Sequence, residues 1–199
     1  MVSVSRRSLL ALGAALPLLG RLDWAVASPP PAKADKVRLN YNESPYGPSG
    51  AAREAMREAI ATAGRYPYGH MYGLAALFAQ QQGIAEEQVA VFSGSMAALR
   101  YAVLAFTGET RGLVMATPSY EVPRQAAESR KAPVREVDLN TEHAHDIPAM
   151  LAADPQAGML YVCNPNNPTG TMTPTDAIRQ ALADKPKGSV LVVDEAYID

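Results

Sequence analysis

The residues most able to do chemistry stand where predicted strands end. The apolar run 190–193 leads into Asp194, and the phenol of Tyr197 follows three residues later. A carboxylate and a phenol at that position suit a ligand site at the carboxyl edge of a parallel sheet. The Ser-Gly-Ser turn at 93–95 leads directly into a predicted helix. Free backbone N–H groups and the positive end of the helix dipole make such a turn suitable for a phosphate group.

Two further turns follow predicted strands. Residues 164–170 read Asn-Pro-Asn-Asn-Pro-Thr-Gly after the apolar run 159–162, and residues 117–120 read Thr-Pro-Ser-Tyr. Proline and asparagine favour turns, so taken alone each segment indicates only a turn after a buried strand. If the strands are parallel, however, all four turns lie along one edge of the sheet, where open α/β sheets bind their ligands.

Strand and helix patterns alternate along the chain, which favours an α/β fold with a mostly parallel sheet. The first predicted helix is capped by Ser49 and extends to Ala63. Strands are predicted over 89–92, 113–116, 133–137, 159–163 and 190–193. The other helices are predicted over 74–82, 96–106, 122–129, 147–153 and 174–183.

Composition limits the classes of function. The chain has 199 residues, of which 48% are hydrophobic, and this suits a domain with a substantial core. A net charge of −2 gives no electrostatic reason to expect nucleic acid as a partner. The single Cys163 excludes an internal disulfide, and three histidines are too few for a metal cluster. His143 and His145 lie in a polar segment that we expect to be a solvated loop, so no metal site is predicted.

Several motifs in this order resemble a known family. Asn-Pro-x-Asn-Pro-Thr-Gly at 164–170, a helix, and Asp-Glu-Ala-Tyr at 194–197 resemble the class I and II aminotransferases, fold-type I enzymes that depend on pyridoxal 5'-phosphate. The stretch 39–48 looks like the histidinol-phosphate aminotransferase branch. The resemblance runs from about 37 to 199. It implies an N-terminal arm followed by part of a three-layer αβα large domain, so residues 37–199 are expected to be a truncated large domain.

The resemblance assigns roles to residues at the four turns. It implies that Gly94, Ser95 and the backbone of Met96 hold the cofactor phosphate and that Tyr120 stacks on the pyridine ring. Taken alone, the turn 93–95 is equally consistent with a plain βα turn. Tyr120 is likewise consistent with an ordinary core or surface tyrosine.

The remaining implied roles concern the cofactor's ring and a neighbouring subunit. Asn167 and Tyr197 would contact the phenolic oxygen, and Asp194 would keep the ring nitrogen protonated so that the ring can accept electrons. Asp194 and Tyr197 are the expected catalytic residues. Tyr66 would reach the phosphate bound by a neighbouring subunit, which implies a homodimer. Without that resemblance, Tyr66 is simply an aromatic residue in a loop.

The implied reaction moves an amino group between an amino acid and a 2-oxo acid. The family's Schiff-base lysine is not recognisable among the chain's lysines, none of which stands in a Ser-x-Ser-Lys setting. We therefore expect the front half of an enzyme, inactive alone. Alternatives are a decarboxylase of the same fold, similar to the threonine-phosphate decarboxylases, or a non-catalytic exported protein. A nucleotide-binding Rossmann domain would need the motif G-x-G-x-x-G, which the turn at 93–96 does not supply.

The first residues resemble an export signal. Arg6 and Arg7 precede the apolar run 8–20, and Ala-Val-Ala at 25–27 fits a signal peptidase site. The paired arginines predict a twin-arginine signal over 1–27, a linker over 28–36 and a periplasmic protein without a stable membrane span after cleavage. A protein that folds around a cofactor is best exported already folded, as this route permits. The alternative is an ordinary Sec signal or an uncleaved anchor.

Overall fold

The computed structural model describes residues 40–198, so the predicted signal and linker lie outside the described residues. The chain divides into two units, one ending at Tyr66 and the other beginning at Pro67. Each unit is described by itself below. No helix in the described range is long and apolar enough to cross a membrane.

The first unit contains one described helix, α1, Gly50–Ile60. The Ser49 hydroxyl caps it as predicted, accepting a hydrogen bond from the Ala52 N–H at 3.2 Å. The helix ends three residues before the predicted end at Ala63. Its backbone bonds change there to three-residue spacing, as in the bond from the Ala63 N–H to the Ile60 carbonyl. Residues 40–48, which belong to the predicted arm, form neither helix nor strand.

The second unit begins with helix α2, Tyr68–Gln82, which starts six residues earlier than predicted. Two glycines in its first turns, Gly69 and Gly73, weaken the sequence signal for a helix there. A short 3₁₀ helix, Glu86–Gln88, follows. The later elements agree with the prediction to within one residue at each end. They are α3 Ser95–Phe106, β1 Leu113–Thr117, α4 Val122–Ser129, β2 Val134–Asp138, α5 Ile147–Ala153, β3 Met159–Cys163, α6 Thr175–Asp184 and β4 Val190–Asp194.

The four strands form one parallel sheet in the order β2-β1-β3-β4. Central strand β3 is buried along its whole length, as expected for a parallel strand covered on both faces. Its register places Cys163 opposite Asp194, the last residues of β3 and β4. The carboxyl ends of β1, β3 and β4 therefore lie at one edge, as the alternation of elements predicted.

Helices cover both faces of the sheet, which confirms the predicted three-layer αβα architecture. One face packs against α3 and α4, and the other packs against α5 and α6. The first core contains Leu99, Val103, Leu113, Met115, Val122, Ala126, Ala127, Met159, Tyr161 and Cys163. The second contains Val114, Ala116, Ile147, Met150, Leu160, Val162 and Ala181. Alternate residues of β1 and β3 thus serve different cores, as the two-residue period of a strand requires.

The predicted strand over 89–92 is wrong. Val89 has extended backbone angles, φ −114° and ψ 127°, but residues 89–92 pair with no strand in the described part of the chain. Extended backbone counts as a strand only when a neighbour supplies the ladder of hydrogen bonds. The turn at 93–95 consequently follows a segment outside the sheet.

A close contact at Gly158 shows in which direction α3 runs along the sheet. A Cβ atom at this residue would lie 2.0 Å from the carbonyl oxygen of Phe106, so the last turn of α3 touches the chain just before β3 begins. That contact places the C-terminus of α3 at the amino edge of the sheet. Leu99 and Val103 pack α3 along the sheet, and twelve residues of helix span about 18 Å, close to the length of a five-residue strand. The N-terminus of α3 therefore points toward the carboxyl edge.

Candidate functional site

A buried carboxylate lies at the carboxyl edge of the sheet. Asp194 ends β4 and is only 8% exposed. Its Oδ2 accepts a hydrogen bond from the Tyr161 hydroxyl at 2.8 Å, and its Oδ1 accepts one from the Ala196 N–H at 3.2 Å. Across residues 40–198, no Lys, Arg or His nitrogen lies within 4.0 Å of this carboxylate. Buried charges are normally paired, so Asp194 fits a ligand that brings a positively charged N–H group.

Tyr161 was not predicted from the sequence as a site residue. It is fully buried in β3, and burial, followed by the neighbouring Cys163 and Asp194, raises the pKa of its phenol far above the ordinary value. The phenol therefore stays protonated and acts as a hydrogen-bond donor. The only sequence signal was a single polar-tipped residue inside an otherwise apolar strand, Met-Leu-Tyr-Val-Cys.

The turns after β1 and β3 are joined by the buried side chain of Asn166. Its Oδ1 accepts a hydrogen bond from the Ser119 hydroxyl at 2.8 Å. Its Nδ2 donates to the Pro118 carbonyl at 3.1 Å and lies 2.8 Å from the Thr169 hydroxyl. The Asn166 backbone carbonyl also accepts from the Gly170 N–H at 2.7 Å, which closes the turn on itself. The Asn166 side chain thus holds together the loop after β1 and the loop after β3, which carry the motifs at 117–120 and 164–170.

Tyr120 and Asn167 are carried by these two joined loops. Tyr120 follows β1, is partly buried and packs against the core under α3 and α4. Asn167 is also partly buried and follows Cys163, which lies opposite Asp194, by four residues. The structure therefore brings the two loops to the same edge as Asp194. Contact of their side chains with a cofactor stays a prediction.

The N-terminus of α3 has the features predicted for phosphate binding. Gly94 precedes the helix with φ +92°, a conformation that favours glycine, and no side chain caps the helix. The backbone N–H groups of Ser95 and Met96, in the exposed first turn, are therefore not used by a side-chain cap. Uncapped N–H groups and the helix dipole suit an anion. The phosphate role of Gly94, Ser95 and Met96 remains a prediction.

Tyr197 and Tyr66 are the remaining predicted site residues. Tyr197 lies in a turn after β4, held by the bond from the Ile198 N–H to the Glu195 carbonyl, and is 45% exposed. Tyr66 belongs to the first unit, which is described separately from the sheet. The roles implied for both stay predictions.

No three His, Cys, Asp or Glu side chains are grouped as metal ligands within the described residues.

The prediction that His143 and His145 lie in a solvated loop is right for His143 and wrong for His145. His143 is exposed, whereas His145 is 3% exposed. The Cys163 N–H donates to His145 Nε2 at 3.3 Å, so that nitrogen carries no proton and Nδ1 donates to the Thr173 hydroxyl at 3.0 Å. His145 therefore ties the end of β3 to the residues after the Asn-Pro turn. The sequence around His145 is polar and therefore indicated a solvated loop, whereas the hydrogen-bond partners of His145 are 18 and 28 residues away.

His145 makes the stability of the fold depend on pH. Burial lowers the pKa of His145 from 6.5 to about 4, so between these values the unfolded chain binds a proton that the folded chain does not. We expect the free energy of unfolding to fall by on the order of 3 kcal/mol as pH drops through this window, with no further loss from this residue below pH 4. Urea unfolding of the full chain, followed by circular dichroism, measures this dependence.

The variants His145→Asn and His143→Asn separate this effect from the titration of carboxylates. His145→Asn should be less stable at pH 7.5 and should lose this part of the pH dependence. His143→Asn should keep the dependence of the parent chain, because His143 is exposed. Parallel curves of stability against pH for the two variants would contradict the role given to His145.

Comparison with known proteins agrees with this architecture. Residues 34–199 match the family described as aminotransferase class I and II. The chain is 38% identical over 162 residues to histidinol-phosphate aminotransferase 2 of Ralstonia nicotianae, covering 81% of this chain and 43% of that protein. It is 34% identical over 164 residues to the histidinol-phosphate aminotransferase of Bacillus subtilis, covering 82% and 46%. The chain thus spans less than half the length of these curated relatives.

Solved structures give the same result. A histidinol-phosphate aminotransferase described as putative, from Erwinia carotovora atroseptica, superposes with a TM-score of 0.77 at 32% identity, covering 81% of this chain and 48% of that one. The enzyme from Sinorhizobium meliloti, solved in complex with pyridoxal 5'-phosphate, superposes with a TM-score of 0.72 at 25% identity, covering 79% and 43%. From the family match and these similarities, the chain belongs to the class I and II aminotransferases.

Proposed function

We propose that the protein carrying this chain binds pyridoxal 5'-phosphate and transfers an amino group between an amino acid and a 2-oxo acid, as a histidinol-phosphate aminotransferase-like enzyme. The observation that carries the proposal is the buried Asp194 carboxylate at the carboxyl edge of the sheet, with no cation beside it in the described residues. When bound, the cofactor supplies an electron sink for the amino-acid substrate.

The residues present fit this cofactor by their chemistry. Asp194 accepts a hydrogen bond from the protonated ring nitrogen and holds the positive charge there. The uncapped N-terminus of α3 receives the phosphate, and Tyr120 offers a flat face to the ring. Asn167 and Tyr197 donate hydrogen bonds to the phenolic oxygen. These residues of the chain bind and orient the cofactor. In this proposal, the contacts with the reacting atoms of the substrates come from the rest of the protein.

Transamination is favoured over decarboxylation by the relatives. The relatives from Ralstonia nicotianae and Bacillus subtilis, both above 30% identity, are histidinol-phosphate aminotransferases. The L-threonine-O-3-phosphate decarboxylase from Porphyromonas gingivalis superposes with a TM-score of 0.63 at 22% identity, which is a likeness of fold alone. A decarboxylase of the same fold therefore remains the second candidate. Its distinguishing product would be carbon dioxide from the amino donor.

The working unit in this proposal is a homodimer, in which Tyr66 reaches the phosphate bound by the neighbouring subunit. Apolar surface supports an assembly. The α2 side chains of Leu74, Leu77 and Phe78 are 52%, 50% and 47% exposed. Monomeric proteins rarely leave several large apolar side chains of one helix in water.

We also propose that the 199 residues alone bind the cofactor reversibly and do not catalyse transamination. The positions of the described lysines support this. Lys131, Lys185 and Lys187 precede β2 or β4 and so stand at the amino edge, opposite Asp194. The Lys185 ammonium group donates to the Ser189 carbonyl at 2.6 Å. Lys33 and Lys36 lie outside the described residues.

A labelling experiment tests the behaviour of the chain alone. The purified chain is titrated with pyridoxal 5'-phosphate, reduced with borohydride and digested for mass spectrometry. We expect saturable, reversible binding without stoichiometric labelling of one lysine, because no described lysine stands at the carboxyl edge. The heat-unfolded chain is the control for nonspecific labelling. Stoichiometric labelling of one lysine together with turnover would overturn this part of the proposal.

Replacing Asp194 by asparagine tests the reaction in the protein that carries this chain. The neutral amide leaves the ring nitrogen without its negative partner. We expect the rate of amino transfer to fall by about 10²–10³-fold, the effect of removing one electrostatic catalytic group, with a much smaller loss of cofactor affinity. Glu195→Gln removes the same charge from an exposed neighbour and should have little effect. Normal turnover by Asp194→Asn would refute the assignment.

Export through the twin-arginine route is the proposal for localisation. It rests on Arg6, Arg7 and the small residues at 25–27. Replacing both arginines by lysine keeps the charge but removes the paired-arginine signal. The mature protein, cleaved after Ala27, should then disappear from the periplasmic fraction, whereas Arg21→Lys should leave export unchanged. Undiminished export of the double variant would exclude this route.

A further inference from the structure

We infer that Tyr161 is a positioning residue for the cofactor site, whose phenol holds the Asp194 carboxylate in the orientation that recognises a protonated ring nitrogen. This inference rests on the proposed function, since it concerns the same carboxylate. It adds a residue to which no role is otherwise assigned. Tyr161 acts through Asp194 and is not proposed to touch the substrate.

The contact is specific and shielded from water. The Tyr161 hydroxyl lies 2.8 Å from Asp194 Oδ2, and Tyr161 is 0% exposed. Among the described residues, it is the only side chain recorded as donating to this carboxylate; the other recorded donor is the Ala196 backbone N–H, on Oδ1. Hydrogen bonds to a charged group in a low-dielectric interior are stronger than those between neutral groups. The two donors therefore fix both oxygens of the carboxylate.

Strand register keeps the two side chains together. Tyr161 pairs with Val192 and Cys163 pairs with Asp194, so both side chains project from the same face of neighbouring strands. The Tyr161 ring is embedded in the core under α3 and α4. A buried aromatic ring between packed helices has little freedom to turn away. The phenol is thus held against Asp194 by the fold itself.

A neutral donor is suited to this task in a way that a cation is not. A lysine or arginine beside Asp194 would cancel its charge and compete with the positive nitrogen of a ligand. A phenol donates a hydrogen bond and does not cancel the negative charge of Asp194. Burial raises the pKa of Tyr161, so the phenol keeps its proton wherever the chain is folded at ordinary pH. The negative charge of Asp194 is therefore available to a positively charged ligand.

The test compares two ligands that differ only at the ring nitrogen. Dissociation constants of the full chain are measured by fluorescence for pyridoxal 5'-phosphate and for its 1-deaza analogue, in which a C–H group replaces that nitrogen. The parent chain should prefer the nitrogen-containing ligand. In Tyr161→Phe this preference should fall about tenfold, the effect of one hydrogen bond to a charged group. In Asp194→Asn it should disappear.

Control variants separate positioning from packing. Tyr101→Phe removes a hydroxyl from a tyrosine that is 59% exposed, and it should leave the preference unchanged. Thermal unfolding of each variant checks that it is folded. Equal weakening of both ligands in Tyr161→Phe, or an unchanged preference, would overturn the inference while leaving the proposed function intact. Equal affinity of the parent chain for both ligands would overturn the proposed contact of Asp194 and this inference with it. Failure of the parent chain to bind either ligand would overturn the proposal that these 199 residues form the site by themselves, and this inference with it, but not the activity proposed for the protein that carries the chain.

Discussion

Parallel pairing of β3 with β4 is the constraint on which the site depends. Its register brings Cys163 opposite Asp194, and the bond from the Asn164 N–H to the Asp194 carbonyl, 2.8 Å long, continues the pairing beyond β3. A slip of one residue would turn Asp194 to the other face, toward α5 and α6 and away from Tyr161. Register is well specified here because β3 is buried on both faces and every residue serves one of two cores. The apolar core therefore determines where the carboxylate points.

Neutral hydrogen-bonding groups, rather than ion pairs, connect the loops around that carboxylate. Tyr161 holds Asp194, Asn166 joins the turns after β1 and β3, and His145 in its neutral form joins β3 to Thr173. Within residues 40–198 no buried side-chain nitrogen or oxygen lacks a partner. Such satisfied networks rigidify a site without adding charge. The negative charge of Asp194 is consequently not neutralised by the scaffold that positions it.

The sequence predicted the elements of the sheet well because their signal is local. The runs around β1, β3 and β4 are apolar and bounded by turn residues, so their positions and their parallel direction followed from alternation with helices. The same local signal failed at 89–92, where an apolar run does not pair within the described chain. Asp194 was predicted because it ends a strand. Tyr161 and His145 were missed because their roles depend on partners 33 and 18 residues away, which no local pattern reveals.

The neighbouring residues Asn166 and Asn167, in the turn after β3, show that a motif predicts residues for ligand binding better than it predicts residues that stabilise the turn. The motif fixes Asn167, whereas Asn166 occupies its variable position. Asn166 is nevertheless the more buried of the two, and its amide uses both Oδ1 and Nδ2 to bind the neighbouring loop and its own turn. Because those bonds fix the turn, the partly buried Asn167 can present its amide without also stabilising the backbone. A position that the motif leaves unspecified can therefore still support the site, as the hydrogen bonds of Asn166 do in this chain.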